Sequence, residues 1–172
     1  MTGSPGILIA ADSLFEAGPE APRALADAPA AIERLGWIGR PVVLVGEELA
    51  DRRLPAAPED RLSWVRTNLG IADLVIVAFD EVGSGRSGDA ADQLATEQWD
   101  RLRDEWQADR LVTGNEASVG PARRAGLTVV RIGPRGAAPA ATVERANHEA
   151  RDLLDAVSRL ITADTFGDRP AS

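Results

Sequence analysis

The residues best placed to do chemistry follow short apolar runs. They are Asp12 and Ser13 after residues 7–11, Gly46 after residues 42–45, Asp80 and the Gly83-Ser84-Gly85-Arg86-Ser87-Gly88 loop after residues 74–79, and Gly114, Asn115 and Glu116 after residues 111–113. Cysteine is absent and His148 is the sole histidine, so thiolate sites and histidine clusters are excluded and any metal would need oxygen ligands. The 83–88 loop has the Gly-x-Gly-x-x-Gly spacing that cradles a dinucleotide pyrophosphate. It follows the third apolar run and not the first, however, and no acidic residue ends the next run to receive a ribose hydroxyl, so nucleotide binding there is a secondary reading. Each candidate also has an ordinary explanation: Asp12 and Asn115 as turn residues that satisfy local backbone donors, and Arg86 as a solvated loop charge.

These residues matter because of the elements that must carry them. Five runs, at residues 7–11, 42–45, 74–79, 111–113 and 128–132, are rich in Val, Ile and Leu and continuous, not alternating. That is the pattern of strands covered on both faces of a parallel sheet. The segments between them carry helical periodicity, at about residues 21–35 (interrupted by Pro29), 58–69, 89–107, 121–125 and 142–161. In the third, Trp99 and Trp106 are expected as core or interface anchors. The last places His148 on its polar side, as a solvated surface residue. Alternating strands and helices predict an α/β, three-layer Rossmann-like domain with a five-stranded parallel sheet. Ligands of such sheets bind outside the carboxyl ends of the strands, where the candidates lie.

The 172 residues suit a single domain over 1–172, with residues 1–6 and 164–172 expected as frayed tails and no length left for a large cap domain. No segment approaches a membrane span or a secretory leader, which predicts a cytoplasmic protein. Acidic residues outnumber basic ones 27 to 19, a net charge of −8 that works against nucleic acid as a partner.

The run Ile7-Leu8-Ile9-Ala10-Ala11-Asp12-Ser13-Leu14-Phe15 resembles the first motif of the haloacid-dehalogenase-like hydrolases, an apolar strand ending in Asp-x-Asp-Gly-Thr-Leu. The resemblance puts Ala10 where the family has its nucleophilic aspartate and Asp12 on its general acid/base. Gly46 takes the hydroxyl position of the second motif. Arg86 resembles the lysine of the third. Gly114-Asn115-Glu116-Ala117-Ser118, running on to Arg124-Ala125-Gly126, is similar to the fourth, and the likeness spans residues 7–134.

The departures set the functional expectation. The family's chemistry implies a covalent aspartyl-phosphate, which the methyl group of Ala10 cannot form. Asn115 offers an amide oxygen where Mg2+ would want a charged one, leaving Asp12 and Glu116 as weak metal candidates. The expectation is thus a haloacid-dehalogenase-like pseudoenzyme with no intact catalytic residue and no expected cofactor. It would bind a protein partner or a small anionic ligand through Asp12, Ser13, Gly46, Arg86, Asn115 and Glu116, with a homodimer as one form of partnership. The alternative is an active Mg2+-dependent phosphomonoester hydrolase with another nucleophile, such as Asp12 or Asp80.

Overall fold

The computed structural model describes residues 5–16, 23–45, 58–69, 89–133 and 145–166. Strands β1 (Ile7–Ala10), β4 (Val42–Val45), β5 (Arg110–Thr113), β6 (Thr128–Ile132) and β7 (His148–Ala150) form one sheet in the order β4-β1-β5-β6-β7. Every pairing in it is parallel. The short strands β2 (Phe15–Glu16) and β3 (Arg23–Ala24) form a separate antiparallel pair.

The apolar runs are continuous because both faces of the sheet are buried. Ile7, Ile9, Val42, Leu44, Val112 and Val130 face one core with α1 (Ala28–Gly36), α2 (Pro58–Leu69) and α5 (Leu153–Phe166). Leu8, Val43, Val45, Leu111 and Val129 face a second core with α3 (Asp89–Trp106) and α4 (Glu116–Arg124). The result is the expected three-layer α/β architecture. On the α2 side, Phe15 of the hairpin rests on Trp64, with ring centroids 5.6 Å apart, so the segment leaving β1 is pinned to the helical layer.

The elements depart from expectation where short-range chemistry outweighs periodicity. The first helix begins at Ala28, with Pro29 in its first turn, where a missing N–H costs nothing; Arg23 and Ala24 lie instead in β3. Helix α4 starts at Glu116 and not near Pro121, because Asn115 caps it. The largest correction concerns residues 142–161. Within the described part of that segment, His148–Ala150 is an edge strand and the helix begins only at Leu153. Among the described residues, β7 is therefore the fifth strand of the sheet. Residues 74–79, expected as a strand, lie outside the described residues. Asn147 explains part of the change, since its Oδ1 accepts from the Val129 N–H at 2.8 Å and draws the chain along β6. His148 is exposed, as expected, but on a strand. Within the segments expected as tails, the Gly6 N–H donates to the Trp106 carbonyl at 3.2 Å, and α5 runs to Phe166.

Two aspartates set the start of α5. The Asp155 N–H donates to Asp152 Oδ1 at 2.7 Å, and the Arg151 N–H donates to Asp155 Oδ2 at 3.0 Å. The Arg151 N–H bond first, and then the charges of Arg159 and Arg151, hold the Asp155 carboxyl below its ordinary value. A carboxyl whose pKa is lower folded than unfolded adds stability that is complete above the unfolded value and disappears as pH falls through the folded one. The thermal midpoint is therefore expected to drop on acidification from about pH 5 to pH 2, and Asp155→Asn to drop less over the same range.

Candidate functional site at the carboxyl ends of the strands

Strand β1 ends at Ala10, and its extended backbone (φ −68°, ψ 136°) passes directly into a single 3-10 turn, Ala11–Ser13. The turn closes when the Leu14 N–H donates to the Ala11 carbonyl at 3.0 Å. Ala10 is buried beneath the mouth of the sheet, and Asp12 projects half-buried from the turn. Asp12 Oδ2 lies 2.9 Å from the point a Cβ on Gly114 would occupy. A side chain at 114 would displace the carboxylate, so glycine is what lets the β1 and β5 loops meet.

Beyond Gly114, the neighbouring groups are already engaged. The Asn115 N–H donates to Thr113 Oγ1 at 3.0 Å, and Asn115 Oδ1 accepts from the Ala117 N–H at 3.0 Å. Asn115 thus serves as the N-cap of α4, a local backbone role where a turn residue was expected. Glu116 accepts from Arg131 Nη1 at 3.2 Å, and Arg131 Nε donates to both oxygens of Glu149, at 3.1 and 3.0 Å. Strand register builds this arrangement: Thr113 pairs with Arg131, and Arg131 with Glu149, so the three share one face of the sheet.

The structure therefore brings together Asp12, Gly114, Asn115 and Glu116. Ser13 is buried, and its hydroxyl has no hydrogen-bond partner among the described residues. Gly46, Arg86, Asp80 and the 83–88 loop lie outside the described residues. Arg131 and Glu149 are new to the site. A lone arginine within an otherwise apolar run was the signal for the first, while Glu149 was hidden by its assignment to a helix.

The family resemblance implies a magnesium ion at such a mouth, but the donors among the described residues fit one poorly. Ala10 offers a methyl group, the Asn115 amide oxygen caps a helix, and Glu116 is paired with a guanidinium. Among the described residues, no group of three or more His, Cys, Asp or Glu is arranged to hold a metal ion.

The three-layer α/β architecture is one shared with solved phosphatases and L-2-haloacid dehalogenases. No family model matches the sequence, and a search of curated proteins finds no match. Among solved structures, the chain is similar to the D,D-heptose 1,7-bisphosphate phosphatase of B. bronchiseptica, complexed with magnesium and phosphate. That match has a TM-score of 0.68 and 17% identity, covering 92% of this chain and 99% of the other. The cobalt-bound deoxy-D-mannose-octulosonate 8-phosphate phosphatase of Haemophilus influenzae matches at TM-score 0.53 and 12% identity, over 95% and 90% of the two chains. The L-2-haloacid dehalogenase of Xanthobacter autotrophicus, with chloropropionic acid covalently bound, matches at TM-score 0.52 and 15% identity, over 83% of this chain and 62% of that one. Among the described residues, no helix is long and apolar enough to cross a membrane.

Proposed function

We propose that this chain is a single haloacid-dehalogenase-like domain, cytoplasmic in location, that binds at the mouth of its sheet without hydrolysing phosphoesters. The observation that carries the reading is Ala10, the last residue of β1, directly ahead of the turn that presents Asp12. Covalent phosphoryl transfer needs a carboxylate oxygen to attack phosphorus while a second carboxyl protonates the departing alkoxide. Asp12 could serve the second role, and nothing at Ala10 can serve the first.

The charge at the mouth bears on the partner. The Arg131 guanidinium is already paired with two carboxylates, Glu116 and Glu149, so a small anion would depend on another cation, such as Arg86, for attraction. A protein partner has no such requirement and is the occupant this reading favours, with nucleic acid and membrane outside it.

A second reading is an active Mg2+-dependent phosphomonoester hydrolase that uses Asp12 or Asp80 as nucleophile. It is favoured by the match over nearly the whole length of a phosphatase complexed with magnesium and phosphate. An assay of a generic phosphomonoester with excess Mg2+ separates the two. The pseudoenzyme reading expects turnover at background for both the wild type and Asp12→Asn. Turnover in the wild type that Asp12→Asn abolishes contradicts it.

A further inference from the structure

Arg131 is one of the few charged side chains buried in the sheet, with its side chain 11% exposed, and it is flanked by carboxylates at 40% and 49% exposure. Burying a guanidinium is costly unless it is paired and its donors are satisfied. Here the pairing is thorough, with Nε on both oxygens of Glu149 and Nη1 on Glu116. Gly133 runs alongside the pair, and a Cβ there would lie in ordinary contact with it, 3.4 Å from Arg131 Nη2 and 3.8 Å from Glu149 Oε2. Glu116 belongs to the same loop that carries Gly114, over which the Asp12 carboxylate sits. The acidic group after β5, Glu116, thus has a resident positive charge supplied by the neighbouring strand.

We infer that Arg131 is a positioning residue that acts as a built-in counter-ion: it holds Glu116 toward β6 and β7 and so withholds it from any divalent cation beside Asp12. The inference rests on the reading that this mouth lacks a working carboxylate set, and it names the cause in a residue outside the strand-end loops. Two effects act in the same direction. The ion pair occupies the Glu116 oxygens, and the guanidinium charge repels an incoming cation over a few ångströms in a partly desolvated setting.

The test is a Mn2+ titration by calorimetry on the full chain as wild type, Arg131→Gln, Arg131→Lys and the double variant Arg131→Gln/Glu116→Gln. The inference expects weak binding by the wild type and affinity tighter on the order of tenfold in Arg131→Gln. It expects Arg131→Lys, which keeps the charge, to stay near the wild type, and the double variant to lose the gain. A merely structural role for Arg131 would not produce that pattern. If Arg131→Gln fails to fold, Arg131→Met keeps the apolar stem of the side chain and is held to the same expectation. Weak binding by the wild type with no gain in the Arg131 variants overturns this inference alone. Tight binding by the wild type overturns it together with the reading of the mouth on which it rests.

Discussion

Trp99→Ala is expected to lower the stability of the protein by about 3–5 kcal/mol, the range for removing a large aromatic from a closed core. Trp99 is 2% exposed on α3 and packs in the core between the sheet and α3–α4, beside Leu102, Leu111 and Val119. Its indole N–H is buried with no hydrogen-bond partner among the described residues, so the side chain contributes through packed area and not through a polar bond. Trp99→Phe should accordingly cost clearly less than Trp99→Ala, because it keeps most of that area and removes the orphaned donor. Urea unfolding monitored by circular dichroism checks this, with a lowered midpoint and an unchanged slope. Equal costs for the two variants would point to a role for the indole nitrogen that the structure does not show.

The second large effect is expected on the opposite face. Ile9 is fully buried in β1, between β4 and β5, and belongs to the core formed with α1, α2 and α5. Ile9→Ala should cost about 2–5 kcal/mol, since the sheet backbone around it cannot close over the missing methyl and ethyl groups. Because Ile9 and Trp99 belong to separate clusters on the two faces, their costs should add. Because the combined cost is comparable to a total stability of about 5–15 kcal/mol, the double variant should keep only a small margin of stability, or none, at room temperature. A double variant no weaker than Trp99→Ala alone would mean that the two cores are not independent layers.

How much of this was readable beforehand depended on how an element declares itself in one dimension. Strands β1, β4, β5 and β6 are buried on both faces, so their sequences are unbroken apolar runs. Strand β7 is three residues at the sheet edge, two of them exposed, and His-Glu-Ala carries no such pattern. It exists because β6 offers it a partner. The spacing of Val143, Ala146 and Ala150 mimicked a helical stripe, and local capping by Asp152 and Asp155 decided where the helix starts. The β2–β3 pair, with two residues per strand, was equally silent.

The same contrast runs through the site. The approach of Asp12 to the loop after β5 follows from a general property of parallel sheets, and it was anticipated from the positions of the two loops alone. The helix-capping role of Asn115 was not anticipated, because Asn115 was read as a turn residue and the helix it caps was expected only from about Pro121. Nor was Arg131, because a strand recognised by its apolar residues conceals the one charge within it, and the partner that would have given it meaning had been placed on a helix. Long-range pairing is the link a single sequence does not display.

The most direct test of the central claim is mass spectrometry of the acid-quenched protein after incubation with a phosphomonoester and Mg2+. If no carboxylate stands where phosphorus must be attacked, the protein mass is unchanged. A mass gain of one phosphoryl group, removed by hydroxylamine and mapped to an aspartate such as Asp12 or Asp80, would contradict the account.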